Sequence, residues 1–176
     1  MGSGKSTVSK LLCEQLHYDY VHTGKIQREI ADKYRMTTLE LNQYAETHPE
    51  IDEEIDATFK SLNDASDLIV DSRLAWFFLP GSFKVFLQTD LVVSAKRISG
   101  DDRRKNEKYA SIEEAANDIL ARKESENKRY MELYGANCSD LSNFDLVMNT
   151  SSIAPQKVAD AIVDKYHAWL VLDNPC

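Results

Sequence analysis

Gly2-Ser3-Gly4-Lys5-Ser6-Thr7 holds the residue types that a phosphate-handling site needs, in the order it needs them. It reads as the working half of a P-loop, G-x-x-x-x-G-K-[ST]. Backbone N–H groups wrap phosphate oxygens, the lysine reaches the β/γ oxygens, and the hydroxyl after it holds Mg²⁺. On this reading Gly2, Ser3, Gly4, Lys5, Ser6 and Thr7 bind ATP, Lys5 is the catalytic clamp and Ser6 is a metal ligand. A second acid fits the same chemistry. Asp71 closes the apolar run Leu68-Ile69-Val70, so it belongs at the carboxyl end of a buried strand, where open α/β sheets place ligands. Its expected role is as the partner of Mg²⁺.

Phosphoryl transfer also needs positive charge around the moving group and a pocket for the acceptor. Arginines stand at Arg28, Arg73, Arg97, Arg103 with Arg104, and Arg122 with Arg129. Arg73 follows the end of the Asp71 strand, and Arg28 lies just beyond the Thr23-Gly24 turn, so these two are favoured by position. The histidines, at 17, 22, 48 and 167, are scattered and read as structural or exposed. No nucleophile arrangement argues for a covalent intermediate, which leaves direct transfer by positioning and electrostatics.

The elements that must hold these groups follow from periodicity. Val8, Leu11, Leu12 and Leu16 recur at helical spacing, so the loop opens a helix whose N-terminus suits an anion. Tyr18 to Val21 reads as a strand. Thr23 is the expected N-cap of the next helix, which carries Ile26, Ile30 and Tyr34. Thr37 and Glu40 form a capping box, and Pro49 opens a helix with Ile51, Ile55, Phe59 and Leu62. Further strands are expected at Leu68–Asp71, Phe83–Leu87 and Phe144–Met148. Asp90 begins one helix, a long one runs from about Ser111 to Tyr134, and Pro155 opens the last, fraying from Val171. The charge-dense stretch from Gly100 to Lys108 is the expected mobile segment.

Strands alternating with helices imply a mostly parallel sheet covered on both faces. The P-loop pattern places its first glycine two residues before Met1 and a feeding strand ahead of that. A fifth, central strand is therefore expected beyond the four that the hydrophobic pattern supplies. The 176 residues suit one domain, and 43% hydrophobic with 28% charged residues is ordinary for a globular protein. The net charge of −8 argues against a broad nucleic-acid surface. With no long apolar run and no leader pattern, the expectation is a cytoplasmic protein without a membrane partner, acting on a small phosphorylated ligand. Cys13, Cys138 and Cys176 indicate neither a disulfide framework nor a zinc site.

Several blocks in order resemble the short, archaeal-type cytidylate kinases. They are Gly2 to Val8, Tyr20-Val21-His22-Thr23-Gly24 with Arg28, Pro49 to Asp56, and Asp71-Ser72-Arg73-Leu74-Ala75. The likeness continues through Lys128-Arg129-Tyr130, Tyr134-Gly135, Asp140-Leu141-Ser142 and Phe144 to Val147. It implies a P-loop NTPase three-layer sandwich with a nucleoside-monophosphate-binding helical part at about 23–65 and a lid at about 100–112. It implies ATP-dependent phosphorylation of CMP or dCMP. Thr23, Arg28 and Arg73 would hold the acceptor, and Arg103, Arg104, Arg122 and Arg129 would supply lid-side and transition-state charge. Two other readings stand beside it. One is a kinase for another nucleotide or small molecule on the same fold. The other is an inactive nucleotide-binding protein, because the loop and first strand are incomplete.

Overall fold

A computed structural model describes residues 1–62, 64–101 and 108–173. Helix α1 (Lys5–Leu16) starts where Gly4 takes a left-handed φ of 85°, a conformation glycine adopts without the clash of a Cβ. The amides of Thr7 and Val8 turn back to the Gly4 carbonyl, each at 3.0 Å. The helix buries Val8 and Leu12 against Val158, Ala159 and Ile162 of the last helix, α8 (Pro155–Asp173). That last helix continues past the expected fraying point at Val171, with Val171 and Leu172 exposed.

Strand β1 (Asp19–His22) runs parallel to β2 (Leu68–Asp71), with His22 opposite Asp71. Between them in the chain come α2 (Thr23–Tyr34), α3 (Thr38–Ala45) and α4 (Glu50–Ser61). These helices carry an apolar cluster of their own: Ile30, Ala31, Leu41, Ala45, Ile51 and Phe59. The capping box forms as the sequence dictates: the Glu40 amide donates to Thr37 Oγ1, and the Thr37 amide donates to the Glu40 carboxylate. The expectation for Thr23 is corrected. His22 occupies the N-cap position, and Thr23 is already helical, its hydroxyl donating at 3.3 Å to the Asp71 carbonyl instead of capping. A strand neighbour outcompetes the local cap.

The remaining elements are α5 (Ala75–Phe78), β3 (Val85–Gln88), α6 (Leu91–Ser99), α7 (Ile112–Tyr134), a 3₁₀ turn at Leu141–Asn143, and β4 (Leu146–Asn149). Ser111 caps α7 by accepting from the Glu114 amide. Strand β3 pairs in parallel with β4, Val85 facing Leu146. Among the described residues, the four strands are thus parallel within their pairs, yet they form two two-stranded sheets rather than the single sheet expected. A groove of about 650 Å³ separates them, lined by Ile69 and Val70 of β2, Val85 and Leu87 of β3, and Val8, Leu12 and Ile162 from α1 and α8. Among the described residues, no helix is long and apolar enough to cross a membrane.

Candidate active site

The loop before α1 is held from behind. Ser94 Oγ donates to the Met1 carbonyl at 3.1 Å, Arg97 Nη1 to the Gly2 carbonyl at 3.2 Å, and Thr150 Oγ1 to the Ser3 carbonyl at 2.8 Å. Arg97 Nη2 also donates to the Thr150 carbonyl at 2.8 Å, which ties the end of β4 into the same support. Gly2 has φ 66°, and a Cβ there would lie 2.7 Å from the Ser94 carbonyl oxygen, so only glycine fits. With three carbonyls fixed on one side, and no side chain capping α1, the first turn of that helix stays available to an anion.

Asp71 stands beside this turn. Its Oδ2 accepts from Ser6 Oγ at 2.8 Å and Tyr20 Oη at 3.2 Å, and His22 Nδ1 lies 3.2 Å from the same oxygen. Both hydroxyls donate to Oδ2, and neither they nor the His22 ring engages Oδ1. Burial, at 4% exposure, opposes ionisation of Asp71, but His22, Lys5 and Ser6 outweigh it and hold the carboxyl well below the usual range. Burial together with the Asp71 charge pushes the Tyr20 phenol up, so it serves as a donor.

The arginines divide into two groups. Arg28 and Arg73 line the same cleft, of about 700 Å³, as the loop, Ser6, Thr23 and Asp71. Arg28 Nη2 donates to His22 Nε2 at 3.1 Å. Arg73 pairs with Glu126, a buried carboxylate that also accepts from Asn42 Nδ2 at 3.3 Å. Arg122 lines the cleft too and lies 3.7 Å from Asp118.

Arg129 is different. Although expected on the lid side, it is 2% exposed and absent from the cleft lining. Its Nε lies 3.0 Å from Asp52 Oδ2, and its Nη1 donates to the Asn42 carbonyl at 2.9 Å. It therefore clamps α7 to α3 and α4 behind the cleft wall. Burial raises the Asp52 carboxyl while the Arg129 charge opposes that rise. Arg103, Arg104 and the middle of the expected lid lie outside the described residues.

The cleft thus brings together the loop, Ser6, Asp71, Thr23, Arg28, Arg73 and Arg122. His22 reads from the sequence only as one of four scattered histidines, structural or exposed, and Arg97 as one of the scattered arginines, while nothing in the sequence marks Thr150 or Glu126. The one signal for His22 was its place at the end of a strand whose partner ends in Asp71. Such an arrangement can grip a polyphosphate at the helix terminus and hold a second anion at Arg28 and Arg73.

Known proteins share this chain's pattern. The profile of the cytidylate kinase-like family matches residues 1–152. A cytidylate kinase of Sulfurisphaera tokodaii is 35% identical over 98% of this chain and 94% of its own. A cytidylate kinase of Sulfolobus acidocaldarius is 38% identical over 92% of this chain and 87% of its own. In three dimensions the chain resembles a shikimate kinase of Bacteroides thetaiotaomicron with a TM-score of 0.60, at 13% identity, covering 97% of this chain and 93% of that one.

Proposed function

The chain belongs to the cytidylate kinase-like family, and on that premise we propose that its cleft transfers the γ-phosphoryl group of ATP to CMP or dCMP. The observation that carries the reading is the continuity of one cleft from the loop and the Ser6–Asp71 pair to Arg28 and Arg73. The loop and Lys5 bind the ATP phosphates. Thr23, Arg28 and Arg73 hold the acceptor phosphate in line with them. Arg122, with Arg103 and Arg104 of the lid at about 100–112, supplies charge to the transferring group. Helices α2 to α4 form the acceptor-binding part, at about 23–65, and the protein works in the cytoplasm, where both nucleotides are supplied.

A magnesium ion fits the donor set. Mg²⁺ prefers oxygen ligands and is held by one or two protein groups together with waters and substrate phosphates. Ser6 Oγ and the Asp71 carboxylate, 2.8 Å apart, are such a pair, and Asp71 is buried and ionised as the role requires. When bound, the ion neutralises charge on the phosphate oxygens. Ser6 and Asp71 would hold it, while Lys5 and the loop amides fix the phosphate chain. The steric and charge complement of the cleft does the rest by positioning.

A coupled assay with ATP, Mg²⁺ and a panel of CMP, dCMP, UMP, AMP and shikimate tests the proposal. Turnover is expected on CMP or dCMP. Turnover on AMP or shikimate with none on the cytidine nucleotides would overturn the acceptor assignment.

A further inference from the structure

We propose that His22 is a positioning residue of the acceptor site, holding the Arg28 guanidinium through Nε2 and so setting where Arg28 meets the acceptor phosphate. The kinetic part of this inference rests on the cytidylate reading; the contact itself does not. His22 closes β1 directly opposite Asp71, at the point where the strand turns into α2. The ring is partly enclosed, with its side chain 21% exposed. On one side it lies parallel to Tyr20, 5.8 Å between centroids and 10° between planes. It also lies close to Gly24, where an added Cβ would approach ring Cε1 at 3.0 Å.

Its two nitrogens have different neighbours. Nε2 stands 3.1 Å from Arg28 Nη2, and Nδ1 stands 3.2 Å from Asp71 Oδ2. A guanidinium has donors only, so Nε2 must accept. The other ring nitrogen lies beside an anion, the Asp71 carboxylate, without a hydrogen bond to it. Arg28 lines the cleft with its Nη2 donating to His22 Nε2. A long side chain held by such a contact has less freedom to lose when a ligand arrives. The effect therefore belongs to acceptor binding, not to the chemical step.

Two measurements test this. The first is a long-range ¹H–¹⁵N spectrum of the imidazoles in the nucleotide-free protein. It should show His22 protonated at Nδ1 with Nε2 as acceptor; a ring protonated at Nε2 alone would overturn the link whatever the enzyme phosphorylates. The second is steady-state kinetics of His22→Ala, His22→Gln and His22→Asn, with melting temperatures recorded alongside. Glutamine can place an acceptor near the position of Nε2, whereas asparagine reaches only the position of Nδ1. His22→Ala and His22→Asn should raise the CMP KM about tenfold while kcat and the ATP KM stay within about twofold, and His22→Gln should recover most of the loss. An equal rise in all three variants, a parallel fall in kcat, or no change in KM would each contradict a positioning role. Failure of the wild-type chain to phosphorylate CMP at all would sink the cytidylate reading instead, and the spectrum would still decide the contact.

Discussion

Two cavities of nearly equal size, about 700 Å³ and 650 Å³, share Lys5, Val8, Asp71 and Ser72 as a common wall. Their chemistry is not shared. The larger one gathers Arg28, Arg73, Arg97 and Arg122 opposite Asp52, Asp56, Asp71 and Glu126. The smaller one runs between β2 and β3 under side chains of the apolar core, among them Leu12, Leu87 and Ile162. Volume does not separate a site from a gap; the convergence of paired charges does. The charged cleft holds its groups through hydrogen bonds that hand one residue to the next. The groove is a break in the sheet, with strand backbones on both sides, so changes there should alter stability and leave chemistry alone.

The sharpest way to break this contrast is Lys5, which borders both cavities. Lys5→Ala should lower kcat about a thousandfold with little change in melting temperature, because a clamp on developing charge acts through the transition state. A collapse in stability with turnover per folded molecule preserved would place Lys5 on the wrong side of the divide. Asp71→Asn tests the same wall from the acid side. It should cost about a hundredfold in kcat and raise the Mg²⁺ concentration needed for half-maximal rate. Unchanged Mg²⁺ dependence would remove Asp71 from the metal site.

The groove makes the opposite forecast. Leu87 packs against the α1–α8 cluster. Leu87→Ala should cost about 2 kcal/mol of stability by denaturant unfolding and leave kcat unchanged. A fall in kcat at constant stability would contradict the division. Arg73→Ala sits between the two forecasts. It should raise the CMP KM about tenfold and also destabilise, since Glu126 loses its ion pair while buried. Adding Glu126→Gln should restore stability without restoring KM.

The smallest effect is a pH dependence. The native Asp71 carboxyl is held well below its usual range by His22, Lys5 and Ser6 against the cost of burial. A depressed acid stabilises the fold above its unfolded value, near pH 4, and that contribution drains away as pH falls toward the native value. The stability gap between wild type and Asp71→Asn, without nucleotide or Mg²⁺, should therefore narrow by about 1 kcal/mol per pH unit below pH 4. A gap that stays constant down to pH 3 would contradict the assigned environment.

What the sequence made legible depended on distance along the chain. The Thr37–Glu40 capping box and the glycine loop opening α1 are local, and both were readable from spacing alone. The place of Asp71 was readable because an acid ending an apolar run falls at the carboxyl end of a buried strand. Arg129 was not, because its partners Asp52 and Asn42 come from α4 and α3, and only the packing of α7 against those helices buries it. His22 escaped for a similar reason: its neighbour Asp71 is set by the β1–β2 register, not by anything near it in the chain. The single sheet was inferred from alternation, which fixes parallel pairing within each pair but not the closure of β2 against β3.

If one cleft holds donor and acceptor phosphates end to end, a bisubstrate ligand spans both sites and tests that arrangement directly. Cytidine and adenosine joined through five phosphates should bind at least a hundredfold more tightly than CMP by titration calorimetry, roughly the gain expected when two sites are filled by one molecule. Lys5→Ala and Arg28→Ala should each remove most of that gain. Binding no tighter than CMP, or insensitive to either substitution, would contradict the account.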